Sequence, residues 1–325
     1  MGPALPRVAL LALLGLIAGG CGDSGDGGAS STVTSTAPGT TGGATTAVPA
    51  RFFYDADLPL DFEEGEIVNP GYPVPVRDIS YASPGGDRVT AFLAVPPQGG
   101  KLPAVIYLHG SGGTRYDLLP EATWLAARGA VALVIDSAHA RGPEVPETGE
   151  GGVRADGDLL AQTVQDARRG IDLLRDRPGV DPERIGFVGF SAGARAGALL
   201  AGADERVAAV ALWSGGALPP SRYLDGAPAD VRERLESLMN DLDPVPALRR
   251  AAGTDFLVQV GTRDEITPQE ALARVTAAVP QPRDVRRYAA GHALSKRATR
   301  ERLDWLARKL AVTGPATSGA LTGPQ

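Results

Sequence analysis

Two hydrophobic periods run along this chain. From Val76 to Tyr81 and from Arg88 to Val95 apolar and polar residues alternate, and Ser83-Pro84-Gly85-Gly86 between them carries a turn signature. This predicts an antiparallel hairpin resting one face on a core. Beyond it the alternation gives way to continuous apolar runs at Ala104 to Leu108, Ala130 to Ile135, Ile185 to Val188, Val207 to Leu212 and Phe256 to Val260. Short runs with no polar side predict strands buried on both faces. Stretches with helical character separate them, at Leu118 to Arg128, Leu159 to Leu174, Ala192 to Leu200, Gln269 to Val279 and Lys296 to Leu310. These supply the crossovers that parallel strands require. The expected fold class is α/β, a mostly parallel central sheet with helices on both faces and an N-terminal antiparallel hairpin.

The flanks differ in character. Arg7 precedes an apolar run from Val8 to Ala18 that ends in small residues, which predicts a secretory signal over residues 1–20. Spanning a bilayer takes about 20 apolar residues, more than this run offers. Residues 21–49 are mostly Gly, Ser, Thr and Ala, too poor in large apolar side chains to offset their ordering entropy, and are expected to form a linker. The tail at 314–325 reads the same way, leaving one domain over 50–313. Ala18-Gly19-Gly20-Cys21 resembles a bacterial lipobox, with alanine where that pattern favours leucine. The resemblance implies cleavage before Cys21 and a lipid anchor on its thiol at the outer face of the cell membrane. Ordinary signal cleavage to a secreted soluble protein is the alternative.

Composition narrows the possibilities further. A content of 43% hydrophobic and 22% charged residues fits a soluble globular protein. The formal net charge of -6 leaves no basic footprint, so no nucleic-acid partner is expected. Cys21 is the single cysteine and there are three histidines, so neither a disulfide nor a metal centre is implied, and no cofactor is expected. Nothing in these signals specifies an oligomeric state.

The candidate chemistry centres on Gly189-Phe190-Ser191-Ala192-Gly193, set directly between a predicted strand and a helix of small residues. A sharp turn there would expose the serine hydroxyl as a nucleophile; a helix N-cap is the plain structural alternative. On such an elbow the partners follow in the order acid, histidine, and only His292 lies downstream of Ser191. The acid is expected after the strand ending at Val260, where Asp264 is the candidate and Glu265 its neighbouring competitor, with Asp255 and Asp225 weaker. A buried carboxylate there would fix the imidazole tautomer. An oxyanion hole needs two backbone donors, for which the amides of Ala192 and of Ser111, in His109-Gly110-Ser111-Gly112-Gly113, are the candidates. His109, His139 and Trp213 are candidate cleft residues, His109 reading more readily as a loop-ordering side chain. Residues 218–253, with Tyr223 and a predicted helix from Ala229 to Met239, form either a lid or a packed insertion.

From about Val76 to Leu310 the chain resembles the dienelactone-hydrolase-like group of α/β-hydrolases. The resemblance rests on the hairpin with its Ser83-Pro84-Gly85-Gly86 turn, the Gly-rich loop at His109, Asp136-Ser137 with Arg141-Gly142, the motif around Ser191, Gly261 with Asp264 and Pro268, and Gly291-His292. It implies the α/β-hydrolase fold and a serine hydrolase that cleaves a small-molecule ester through an acyl-enzyme. Dienelactone hydrolases proper use a cysteine nucleophile where this chain has Ser191, which argues against dienelactone as the substrate. A peptidase, an acyltransferase or a catalytically silent surface-binding lipoprotein on the same scaffold are the alternatives.

Overall fold

The computed structural model describes residues 47–68, 71–142, 149–217 and 226–314. The signal segment, Cys21, most of the linker and of the C-terminal tail, Tyr223 and Asp225 lie outside the described residues.

The predicted hairpin is present as β2 (Val76–Ala82) and β3 (Arg88–Ala94), paired from Val76↔Ala94 to Ala82↔Arg88. A further antiparallel strand, β1 (Glu63–Ile67), extends its outer edge. The apolar runs form β4 (Leu102–Leu108), β5 (Val131–Ile135), β6 (Val180–Phe190), β7 (Ala209–Trp213) and β8 (Asp255–Gly261), and β9 (Arg283–Tyr288) closes the far edge. The sheet order is β1-β2-β3-β5-β4-β6-β7-β8-β9. Pairing is antiparallel through β3 and β5 and parallel from β5 to β9.

Why the central strands read as continuous apolar runs is visible in their two faces. Ile106, Leu108, Leu133, Phe187, Leu212 and Val258 join one buried cluster, whereas Val105, Tyr107, Val134, Val188, Ala211 and Leu257 join another. The first is covered by α3 (Gly149–Asp176), α4 (Ala192–Ala203), α5 (Ala229–Asp241), α6 (Pro244–Arg250) and α7 (Gln269–Ala278). The second is covered by α1 (Leu119–Ala127) and α8 (Lys296–Lys309). A short helix, α2 (Ala138–Arg141), follows β5, capped by the Ser137 hydroxyl, which accepts from the Ala140 amide. Each core strand thus buries both side-chain rows, at about 25 cal/mol per Å² of apolar surface. Helix α5 resolves the lid question for its own residues: Leu235 and Leu238 are buried in the first cluster, so this stripe is packing.

One buried polar knot fixes the end of the sheet that carries the predicted histidine loop. Arg302 on α8, fully buried, donates to both carboxylate oxygens of Glu121 on α1, at 2.7 and 2.5 Å, and to Gln259 Oε1 at 2.5 Å. Its guanidinium also lies 4.1 Å from the Trp213 ring centroid. Gln259 passes its own amide N–H groups to the Tyr288 hydroxyl and the Ala298 carbonyl. Geometry this complete offsets the desolvation that a buried ion pair costs. It ties α8 to α1, β8 and β9, and so fixes both ends of the segment from Ala289 to Ser295.

Candidate active site

Strand β6 ends in Phe190, and Ser191 turns the chain into α4 with φ 54° and ψ −111°. This is a left-handed conformation that a non-glycine residue adopts only under constraint. The constraint is local: the Ser191 amide donates to the Trp213 carbonyl at 2.8 Å, while its own carbonyl receives the amides of Ala194 and Arg195. Gly189 and Gly193 permit the turn, since a Cβ on Gly189 would strike the Gly193 carbonyl and one on Gly193 would strike the carbonyls of Leu108 and His109. Ser191 therefore occupies the sharp elbow expected of it.

The predicted acid and base meet. Asp264 lies just beyond β8, its side chain fully enclosed, and His292 lies beyond β9 with its side chain 11% exposed. His292 Nδ1 and Asp264 Oδ2 are 2.8 Å apart. Asp264 Oδ1 accepts the amides of Ile266 and Thr267, both at 2.9 Å. With the carboxylate as acceptor, Nδ1 carries the proton and Nε2 is left as the basic nitrogen. Glu265 is exposed and points to no partner among the described residues, and Asp255 pairs with Lys309 at 2.7 Å. The imidazole packs against Phe190, ring centroids 5.0 Å apart, which sets it beside the elbow. The Ser191 hydroxyl makes no hydrogen bond among the described residues; such contacts commonly tighten only when substrate arrives.

A residue that sequence reasoning missed holds the histidine loop. Ser214, fully buried at the end of β7 with φ 53°, donates its hydroxyl to the His292 carbonyl at 2.7 Å. Its amide donates to the Gln259 carbonyl, and its carbonyl accepts from the Thr267 hydroxyl. It therefore links β7, β8 and the loops bearing Asp264 and His292. A serine after an apolar strand gives no sign of this, because the contact spans 78 residues.

The Gly-rich loop after β4 reaches the elbow: a Cβ placed on Gly110 would lie 3.2 Å from that of Ser191. Neither the Ser111 nor the Ala192 amide has an intramolecular partner among the described residues, so both are available as donors. Both residues line a cavity of about 460 Å³, within the range typical of small-molecule sites. His109, 3% exposed, contributes order to this loop and not a free ring nitrogen to the cleft. Its Nε2 accepts the Ser137 amide at 3.1 Å, and its Nδ1 therefore donates to the Gly110 carbonyl at 2.8 Å. The far end of the loop is held by Asp136, which accepts the Arg115 amide at 2.7 Å and the Thr90 hydroxyl at 2.6 Å.

Of the other two cleft candidates, His139 lines the 460 Å³ cavity and Trp213 does not. Trp213 instead stacks at 4.3 Å on Phe190 and borders a separate hollow of about 200 Å³ with Trp124 and Lys296. Its place is to back the elbow.

Comparison with known proteins supports the same architecture. Among solved structures, an acetyl xylan esterase from Paenibacillus sp. R4 superposes with a TM-score of 0.65 at 21% identity, covering 77% of this chain and 89% of that one. Acetyl xylan esterase 1 from Thermoanaerobacterium sp. JW/SL YS485 gives 0.63 at 21%, over 77% and 88%. Both show the α/β-hydrolase fold. In sequence, a polyketide transferase of Stachybotrys chlorohalonatus is 34% identical over 41% of this chain and 42% of its own length. The esterase FrsA of Salmonella paratyphi B is 33% identical over 40% and 29%. The chain thus spans less than half the length of these curated relatives. Residues 89–312, well over half of the sequence, match a single family description, and the chain belongs to the dienelactone hydrolase family.

Proposed function

We propose that this chain is a serine hydrolase of carboxylic esters. The observation that carries the reading is the elbow conformation of Ser191 beside a His292 already oriented by Asp264. His292 Nε2 takes the proton of Ser191 Oγ as the oxygen attacks the ester carbonyl. The amides of Ser111 and Ala192 receive the oxyanion, a contribution of about 3 kcal/mol for a single such donor. His292, now an imidazolium stabilised by ionised Asp264, gives its proton to the departing alcohol, leaving an acyl-serine. Water activated by the same imidazole releases the acid. The esterases among its relatives and structural neighbours support this reading.

The polyketide transferase relative favours a second reading, in which an alcohol and not water takes the acyl group. A panel of nitrophenyl esters of increasing acyl length, run beside aminoacyl anilides with and without added alcohol, separates the two. Release of free acid from esters alone is the expected result. Anilide cleavage without ester cleavage would replace the esterase by a peptidase, and acyl product dominated by the new ester would make it a transferase.

We further propose that Cys21, which follows the apolar segment, is acylated and holds the domain at the outer face of the membrane. The full-length protein should fractionate with membranes and a Cys21→Ser variant should not. An unmodified Cys21 in soluble wild-type protein would remove the anchor.

A further inference from the structure

The cavity beside the oxyanion amides is not an apolar slot. Besides Ser111 and Ala192 its wall carries His139 on α2, Asp156 on α3 and Arg195 on α4, with a hydrogen bond of 2.9 Å between His139 Nε2 and Asp156 Oδ1. The hydrogen bond from His139, and beyond it the Arg195 guanidinium, hold the Asp156 carboxyl below the usual carboxylate range. Asp156 is therefore ionised and can only accept, so the shared proton sits on Nε2. Two acceptor atoms remain, His139 Nδ1 and Asp156 Oδ2, for which no hydrogen bond is seen among the described residues, while the charge of Arg195 acts on the same carboxylate. Of the hydroxyls around the cavity, Thr163 donates to the Leu159 carbonyl and accepts the Ala138 amide, whereas Ser137 accepts the Ala140 amide and keeps its own proton to donate.

Which half of an ester enters this space follows from the proton path. The leaving alcohol must take its proton from His292 and so must lie on the His292 side of Ser191. The cavity adjoins the elbow at Gly110 and Ala192 and extends along the oxyanion loop, α2, α3 and the start of α4; neither Ser191 nor His292 is among its walls. It therefore receives the acyl half.

We propose that the acyl group hydrolysed by this chain carries a hydroxyl, received by the acceptor pair of His139 and Asp156, so that the substrates are esters of short hydroxylated acids and not of fatty acids. The proposal rests on the esterase reading above. A saturated acyl chain lying in the same place would cover both acceptors without bonding either one, whereas a hydroxyl supplies a donor to them.

The test uses a pair of esters equal in shape, methyl 3-hydroxybutanoate and methyl 3-methylbutanoate, followed by acid release with the full-length protein. The wild type should prefer the hydroxylated ester in kcat/KM by about tenfold or more, the scale expected for one hydrogen bond to a charged, partly exposed acceptor. His139→Leu and, separately, Asp156→Leu should bring that ratio towards one; both side chains are partly exposed, so two independent variants guard against a folding artefact. A wild-type ratio near one would overturn the proposal and leave the esterase intact. A high ratio that survives in both variants would overturn the assignment to this pair. Failure to hydrolyse either ester, together with inactivity on the nitrophenyl panel, would instead remove the esterase reading itself.

Discussion

Ser191→Ala should abolish ester turnover by roughly 10⁶-fold, the scale observed when the nucleophile of a serine-hydrolase triad is removed. Folding should be unaffected. The hydroxyl makes no hydrogen bond among the described residues, and alanine at φ 54° bears the same backbone cost that serine bears, so neither state gains. The thermal midpoint of the variant should therefore match that of the wild type while turnover disappears. A fluorophosphonate probe gives the second readout, because it should label the wild type on Ser191 and leave the variant unlabelled. Labelling of a different serine, or near-normal turnover without this hydroxyl, would contradict the assignment.

The second large effect belongs to Asp264. Its Oδ1 accepts two backbone amides, from Ile266 and Thr267, and its Oδ2 faces His292 Nδ1. In Asp264→Asn the carboxamide must keep its oxygen towards the two backbone donors, since turning its NH₂ there would set donor against donor. The NH₂ then faces Nδ1 and donates to it, which places the imidazole proton on Nε2. That tautomer presents an N–H to Ser191 and cannot take its proton. A loss of about 10⁴-fold in kcat follows, by the precedent of the same exchange in a serine protease triad. Glu265→Gln should change turnover little, because that side chain is exposed. The two variants measured side by side on one ester decide the matter. A severe loss in Glu265→Gln with a mild one in Asp264→Asn would transfer the role of the acid.

Much of this arrangement is legible in the sequence, for identifiable reasons. The parallel strands are covered on both faces, so their composition betrays them. The pairing of Asp264 with His292 is legible because chain order restricts the choice: one histidine follows Ser191, and one strand end offers an acid. The edges are another matter. All five residues of β1, Glu63-Glu64-Gly65-Glu66-Ile67, are exposed, so burial imposes no pattern on them. Strand β9 carries four charged residues among six because it too is an edge. The first turns of α3 contain Gly149, Gly151 and Gly152, a composition of low helix propensity that tertiary contacts override, so the predicted start at Leu159 falls ten residues late. Ser214 and Asp156 were hidden for a further reason. Each acts on a residue from another element, and no local period records which elements the fold brings together.

The two elbow glycines bear on how such a chain can drift in evolution. What closes off Gly189 and Gly193 is backbone: the carbonyl of one faces the other, and the carbonyls of Leu108 and His109 close the remaining side. A crowded side chain can be relieved by trimming its neighbour, but a main-chain carbonyl has no smaller substitute. No second-site change elsewhere in the protein can therefore open either position. Phe190, between them, meets side chains instead, those of Trp213 and His292, which can change with it. The two glycines are thus a fixed frame, and a lineage could change its substrate, or even its nucleophile, without finding a viable route away from them.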